Sequence, residues 1–289
     1  MKILNLCVFF ISSAFALTIS SAEQLPQSFV NAIATQPADV KERYEHRHPK
    51  ETLAFFGIEP GMTVYEALPG KGWYTKILAD GLGENGKVVG VDYPLDMYSL
   101  FGFFSEERLA KKKTWVKDWV SDASTWTNSD GAMIDAFVFG TLPENLTGKA
   151  DMFLFIRALH NLARFEQQGG YLTRALEEVF RSLKPGGIVG VVQHLAPEGA
   201  TDEWANGASG YLKKSFVVKK MTEAGFELEA ESEVNLNPLD QPTEEERVWR
   251  LPPSMAGSDT AENKVKLREI GESTRMTLKF RKPNQSNSS

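Results

Sequence analysis

Two segments decide the fold: Val64-Tyr65-Glu66-Ala67-Leu68-Pro69-Gly70-Lys71-Gly72 and Val89-Gly90-Val91-Asp92. Each contains an apolar run typical of a buried strand, and we predict strands over 62–68 and 87–93. A tight glycine loop follows the first strand, and residues 73–82 have the apolar spacing of a helix. Strand, loop, helix and strand form a βαβ unit, in which the two strands are parallel.

The rest of the chain repeats this alternation. Further strands are predicted over 133–139, 151–156, 188–194, 226–234 and 275–280, and helices over 38–56 (divided at Pro49), 105–120, 171–183 and 215–224. Strands that alternate with helices predict an α/β fold with a doubly wound, mostly parallel sheet of seven strands. The last two strands predict an antiparallel C-terminal edge.

Chemistry-bearing residues follow three of these strands. The loop after the first strand contains Gly70 and Gly72, which let a ligand approach the backbone closely. Asp92 ends the second strand, where a carboxylate can accept hydrogen bonds from ribose hydroxyls. Arg157-Ala158-Leu159-His160-Asn161 ends the 151–156 strand. Because parallel strands place their carboxyl ends at one edge, we expect all three groups to share a site.

These motifs resemble those of class I S-adenosylmethionine (SAM)-dependent methyltransferases, and the resemblance covers about residues 50–236 and the final strand. Residues 64–72 are similar to the first motif, an acid followed by a glycine-rich loop. Val89-Gly90-Val91-Asp92 resembles the second motif, and Leu183-Lys184-Pro185-Gly186-Gly187-Ile188 the turn before the fifth strand. Pro60-Gly61-Met62-Thr63-Val64, the 69–75 loop, Leu159-His160-Asn161 and residues 278–283 resemble a family of exported predicted methyltransferases.

The resemblance implies a Rossmann-like methyltransferase fold, SAM as cofactor, and transfer of a methyl group to a small or exposed acceptor. The implied cofactor-binding residues are Glu66, Leu68, Pro69, Gly70, Lys71, Gly72 and Asp92. His160 is the candidate proton acceptor, with Asn161 or Arg157 positioning the substrate. Two departures from the family pattern bear on this assignment. Leu68 replaces the first loop glycine, and the third strand ends in Phe139-Gly140-Thr141, without an acid for the adenine amine.

Other interpretations of these residues remain open. The chain can be an inactive nucleoside-binding or SAM-binding module with the same fold, an alternative that Leu68 favours. A nicotinamide-dependent dehydrogenase is less favoured, because Thr75 replaces the third glycine of the dinucleotide-binding loop. Gly70 and Gly72 can simply form a turn, Asp92 can cap a helix, and His160 can be a structural histidine. We expect surface roles for His46 and His48, and packing for Trp115, Trp119 and Trp126.

The N-terminal residues 1–22 have the pattern of a signal peptide: Lys2, an apolar core, and small residues before Glu23. We therefore expect an exported protein, periplasmic or secreted, with no stable membrane insertion after cleavage. The expected organisation is a linker over 23–37, a methyltransferase-like domain over 38–283 with an irregular insertion at 238–272, and a disordered tail at 284–289.

Composition narrows the function classes further. The chain of 289 residues has a net charge of −6, which is unfavourable for non-specific binding to nucleic acid. Cys7, the only cysteine, lies in the predicted signal peptide, and the four dispersed histidines show no metal-ligand spacing. We therefore predict neither a metal site nor a nucleic-acid partner. No motif identifies the acceptor or the oligomeric state.

Overall fold

A central β-sheet organises the chain, as described by a computed structural model that covers residues 24–127 and 130–284. Within these residues the strands are β1 Thr63–Ala67, β2 Lys87–Asp92, β3 Met133–Val138, β4 Ala150–Ile156, β5 Leu183–Ala196, β6 Leu212–Lys213, β7 Glu227–Ser232 and β8 Arg275–Arg281. The helices are α1 Gln27–Thr35, α2 Ala38–Lys41, α3 Tyr44–Arg47, α4 Pro49–Phe56, α5 Trp73–Leu82, α6 Met97–Leu100, α7 Glu106–Lys113, α8 Trp115–Ala123, α9 Leu159–Arg164, α10 Glu166–Gly169, α11 Tyr171–Ser182, α12 Lys214–Glu223 and α13 Ala261–Ile270.

The sheet confirms the predicted topology. Seven strands follow the order β3-β2-β1-β4-β5-β8-β7, and the two-residue strand β6 pairs with β5 outside this path. The pairs β1–β2, β1–β4, β2–β3 and β4–β5 are parallel. Strand β8 runs antiparallel to both β5 and β7, so the reversal lies at the C-terminal side of the sheet. Strand order reverses at β1, where doubly wound sheets bind their ligands.

Helices cover both faces of the sheet, as the alternation along β4 shows. Phe153 and Phe155 pack into the larger core cluster with α9, α11 and α12. Met152 and Leu154 pack into the opposite cluster with α1, α4 and α5. A strand buried on both faces needs apolar residues at every position, and residues 152–156 of β4 form such a continuous apolar run.

The predicted linker over 23–37 is wrong for most of its length, because residues 27–35 form helix α1. Phe29, Ala32 and Ile33 are buried in the same cluster as α5. The fit is close: a Cβ on Gly81 of α5 would lie 2.3 Å from the Phe29 ring. The domain therefore includes α1, whose short apolar stripe was obscured by the surrounding polar residues and prolines.

Two other segments differ from the predictions. The 105–120 helix is two helices, since it ends and restarts at Thr114. The 238–272 insertion contains helix α13 and a short 3-10 turn at Val248–Arg250. The strand predicted over 151–156 ends at Ile156 as expected; Arg157 then takes a left-handed φ of 60°, and α9 begins at Leu159. His160 and Asn161 are therefore helical residues.

The predicted signal peptide at 1–22 and residues 285–289 of the predicted tail lie outside the described residues. Among the helices of the described part of the chain, none has the length and apolar character needed to cross a bilayer.

Candidate active site

The glycine loop and Asp92 lie side by side at the carboxyl ends of β1 and β2. Ala67 pairs with Val91 in the sheet, and the Leu68 N–H donates to the Val91 carbonyl over 2.7 Å. The parallel register thus places the start of the loop one residue from Asp92 across the strand pair. This juxtaposition is the one that the sequence predicted.

The loop backbone keeps a glycine-like conformation even where glycine is missing. Leu68 has a φ of 52°, in the left-handed region that costs a non-glycine residue about 1–2 kcal/mol. Its side chain packs against the larger core cluster. Gly70 and Gly72 also have positive φ values, 58° and 76°. Leu68 therefore adds a side chain where the family motif has glycine, but its backbone keeps the left-handed conformation that glycine favours.

Gly72 is additionally required by the tryptophan cluster beside the loop. A Cβ on Gly72 would lie 2.1 Å from the Trp126 ring, so only glycine fits. Trp119 donates from its indole N–H to the Gly70 carbonyl over 3.3 Å and is buried. Trp115 stacks on Trp119 with ring centroids 5.6 Å apart. The three tryptophans support the loop by packing, as expected from the sequence.

Glu66 is buried on β1 directly below the loop. The Thr75 hydroxyl of α5 donates to its carboxylate over 2.6 Å. Burial raises the pKa of Glu66 to about 7, and the Thr75 hydrogen bond opposes this rise only in part. Near neutral pH the group therefore holds a proton part of the time, and a cation placed beside it would favour its ionised form. Thr75, noted in the sequence only as a missing glycine, is the residue that holds this carboxylate.

Asp92 is buried, and both of its carboxylate oxygens already accept hydrogen bonds. Oδ1 accepts from the Tyr93 N–H over 2.9 Å and from the Tyr98 hydroxyl. Oδ2 accepts from the Lys112 ammonium over 2.7 Å. Lys112 also lies 4.2 Å from the centroid of the Tyr98 ring. A ribose that binds this carboxylate through both oxygens would therefore compete with Lys112 at Oδ2 and with Tyr98 at Oδ1.

Arg157 belongs to a cluster of four arginines around one carboxylate. The members are Arg43 and Arg47 near α3, Arg157 after β4, and Arg275 at the start of β8, and their nitrogens lie 2.5, 3.2, 4.0 and 3.4 Å from the carboxylate of Glu272. Glu272, Arg47 and Arg275 are buried. Burial and the neighbouring arginines lower the pKa of Arg47 to about 9, with burial the larger cause. The cluster therefore carries an excess of positive charge.

This arginine cluster adjoins the loop through Trp73, the residue after Gly72. The Arg47 guanidinium lies 4.5 Å from the Trp73 ring centroid. The indole nitrogen of Trp73 is buried without a hydrogen-bond partner among the described residues, as is Nε of Arg275. Buried donors without acceptors are costly. The region next to the loop thus offers unused donors and positive charge, which suit a carboxylate.

His160 is buried on α9, beside His194. Its Nδ1 lies 3.4 Å from Oε1 of Gln193, and its ring centroid is 5.5 Å from that of His194. Burial, followed by the charges of Arg157 and Arg164, lowers the pKa of His160 to about 4 although Gln193 opposes the shift. The imidazole is therefore neutral at pH 7 and a weak base.

Asn161 and His194 are polar neighbours of His160. The Asn161 amide donates to the Tyr93 hydroxyl over 3.3 Å, which places this side chain next to the residue that follows Asp92. Nδ1 of His194 lies 2.6 Å from the Ser273 hydroxyl, and burial holds the pKa of His194 well below its ordinary value. Among residues 24–127 and 130–284 there is no group of three or more His, Cys, Asp or Glu placed to hold a metal ion.

Lys112 is the site residue that the sequence interpretation overlooked. It lies in the run Lys111-Lys112-Lys113, which is typical of a solvent-exposed helix face. A signal was present, since Leu109 packs against the core and Lys112 is three residues later on the same face of α7. Arg43, Arg47, Arg275 and Glu272 carried no such signal, because the cluster unites segments far apart in the sequence.

No protein-family model matches the sequence, and no curated protein matches it either. Solved structures do match. The chain aligns with the [4+2]-cyclase SpnF at 16% identity and a TM-score of 0.50, over 90% of this chain and 93% of that chain. The strand order and this alignment show that the chain has a Rossmann-like α/β fold.

Two further structures align with the chain. One is a chain in the complex of the Haloferax volcanii Trm112 methyltransferase activator with a methyltransferase, at 20% identity and a TM-score of 0.49, over 89% of this chain and 98% of that chain. The other is a SAM-dependent methyltransferase from Aquifex aeolicus, at 17% identity and a TM-score of 0.46, over 86% and 98%. At these identities the likeness concerns the fold, and activity must be argued from the site.

Proposed function

We propose that this protein is a SAM-dependent methyltransferase, with SAM as the expected cofactor. The observation that carries the proposal is the 2.7 Å hydrogen bond from Leu68 to Val91, which holds the glycine loop beside Asp92. A loop backbone and a carboxylate at this switch point are suited to the two ends of an adenosyl ligand. The fold and the sequence motifs of residues 64–72 and 89–92 support the same assignment.

Each loop-side residue then has a distinct role. The backbone of Leu68, Pro69, Gly70, Lys71 and Gly72 faces the cofactor, and Asp92 accepts hydrogen bonds from the ribose once Lys112 withdraws. Glu66 provides the negative charge for the methionine ammonium. The arginine cluster, on the Trp73 side of the loop, provides positive charge for the methionine carboxylate.

The reaction needs little from the protein beyond alignment. When bound, SAM would supply an electrophilic methyl group on a positively charged sulfur; a lone pair of the acceptor would take this methyl group, and S-adenosylhomocysteine would leave with the electron pair of the sulfur–methyl bond. Holding the acceptor in line with that bond supplies most of the acceleration. His160, with a pKa of about 4, accepts a proton only weakly. The site therefore suits an acceptor that is already deprotonated, with Asn161 or Arg157 positioning it.

A binding module without turnover is the second candidate. It is favoured by one observation: Leu68 occupies the position of the first loop glycine, and its side chain narrows the space for the methionine part of SAM. Titration calorimetry with SAM tests binding, and formation of S-adenosylhomocysteine with candidate acceptors tests turnover. Binding with turnover supports the enzyme, binding without turnover supports the module, and no binding refutes both.

The cellular location is part of the proposal. The signal-peptide pattern of residues 1–22 supports export to the periplasm or the medium. SAM is made in the cytoplasm, so an exported enzyme would need a supply beyond the membrane. N-terminal sequencing of the protein purified from cell fractions tests this: a mature chain that begins near Glu23 supports export, and an intact Met1 in the cytoplasm contradicts it.

A further inference from the structure

A cavity of about 910 Å³ opens next to the candidate active site. Asn161 and Arg164 of α9 line one side of it, and the Asn161 amide is hydrogen-bonded to Tyr93, the residue after Asp92. The remaining lining is supplied by Phe101, Phe103, Ala208, Glu245, Glu246, Arg247, Trp249, Arg250, Ser254, Ala256 and Gly257. A volume of this size accommodates a drug-sized molecule.

Aromatic side chains form the apolar part of this cavity. Phe101 and Phe103 lie in the segment after α6, with their ring centroids 5.4 Å apart. Trp249 lies opposite in the 238–272 segment, and its ring meets the His160 ring edge-on at 5.9 Å. Phe103 is 59% exposed, an unusual state for a large apolar side chain. These rings present flat surfaces suited to an aromatic ligand.

The charged part of the cavity has two arginines that form no ion pair with a carboxylate among the described residues, although the Arg164 guanidinium lies over the Phe165 ring at 4.8 Å. Arg250 is neutralised by Asp240 at 2.9 Å and Glu246 at 2.8 Å. Arg164 and Arg247 have no carboxylate within 4 Å in the part of the chain that the structure describes. Burial and the charge of Arg247 lower the pKa of Arg164, so the two guanidinium groups repel each other. Glu245 is an exposed acid on the same lining.

We propose that this cavity is the acceptor site, and that it binds a flat aromatic molecule carrying an anionic group between Arg164 and Arg247. The rings of Phe101, Phe103 and Trp249 would hold the aromatic body. An anion would relieve the repulsion between the two arginines and gain charge-assisted hydrogen bonds. The claim that this ligand is the methyl acceptor rests on the proposed methyltransferase function. The claim that the cavity binds an aromatic anion does not.

A pair of fluorescent probes tests the binding. Anilinonaphthalene sulfonate and N-phenylnaphthylamine share one aromatic body, but only the first carries an anion. The double variant Arg164→Gln, Arg247→Gln should weaken binding of the sulfonate by about tenfold and leave the affinity for the neutral probe unchanged. Arg268→Gln, an exposed arginine on α13, is the matched control and should change neither affinity.

Two outcomes would overturn the proposal: sulfonate affinity that the double variant leaves unchanged, or an equal loss for both probes. Calorimetric titration of the same double variant with SAM separates this result from the proposed function. The expected SAM affinity is that of the wild type. If the probe pattern holds while the wild type fails to bind SAM, the aromatic-anion site stands and the methyltransferase assignment fails.

Discussion

Lys112→Met should increase the affinity for SAM, because Lys112 competes with the ribose for Asp92. The ammonium lies 2.7 Å from Oδ2, and the two side chains are 21% and 3% exposed. Methionine keeps most of the aliphatic stem that packs over Tyr98, and it removes the charge. The substitution therefore isolates the competing ion pair from the packing.

The magnitude follows from the cost of breaking that pair. A hydrogen bond to a charged group contributes about 1.5–3 kcal/mol net, and the partial exposure of Lys112 places this pair toward the lower value. If binding no longer has to break it, the dissociation constant should fall about tenfold, which corresponds to about 1.4 kcal/mol. The free protein should lose about 1–3 kcal/mol of stability, because Asp92 loses a buried partner.

Titration calorimetry with SAM measures the first effect, and urea unfolding measures the second. Lys113→Met is the matched control, since Lys113 is exposed and neighbours Lys112 on α7. It should change neither quantity appreciably. An unchanged or weaker affinity in Lys112→Met would show that the pair persists in the complex, and the competition argument would be wrong.

Three other predictions concern buried features of the site. Burial raises the pKa of Glu66 from 4.5 to about 7, so the folded state binds this proton more tightly than the unfolded state and loses stability as pH rises between those values. Glu66→Gln should therefore be more stable than the wild type by about 3 kcal/mol at pH 8 and equally stable near pH 4. If urea unfolding gives the same difference at both pH values, the raised pKa is wrong. Glu272→Gln should destabilise the fold by about 3 kcal/mol, because four arginines lose their one carboxylate, and an unchanged unfolding midpoint would contradict this. Gly72→Ala should cost more stability than its control Gly70→Ala, since only the first Cβ meets Trp126, and equal losses would refute the packing argument.

The βαβ unit could be predicted because its information is local. The helix predicted over 73–82 forms over those residues, and the strand predicted over 87–93 is one residue shorter. Alternation, glycine loop and terminal acid all lie within about thirty residues, and the carboxyl-edge rule of parallel sheets then places Asp92 beside the loop. This part of the site could be predicted because its residues are close in the sequence and because the topology of parallel sheets fixes where strand ends meet.

The rest of the site depends on contacts between distant segments. Lys112 reaches Asp92 across twenty residues, and Glu272 meets Arg43 across more than two hundred. Hydrophobic periodicity within a short window of the sequence does not predict contacts between such distant residues. Helix α1 was missed for a related reason: its three buried residues are too few to give a clear helical pattern, and they are buried by packing in the cluster that contains α5. The cavity beside α9 likewise combines the 238–272 segment with residues near α6.

The most direct test of the proposed cofactor site is a crystal structure of the protein grown or soaked with SAM. We predict an adenosyl group beside Gly70, with its ribose hydroxyls on the Asp92 carboxylate and the Lys112 ammonium withdrawn from it. A structure in which the ligand lies elsewhere, or in which Asp92 keeps Lys112 and Tyr98 at saturating SAM, would contradict it.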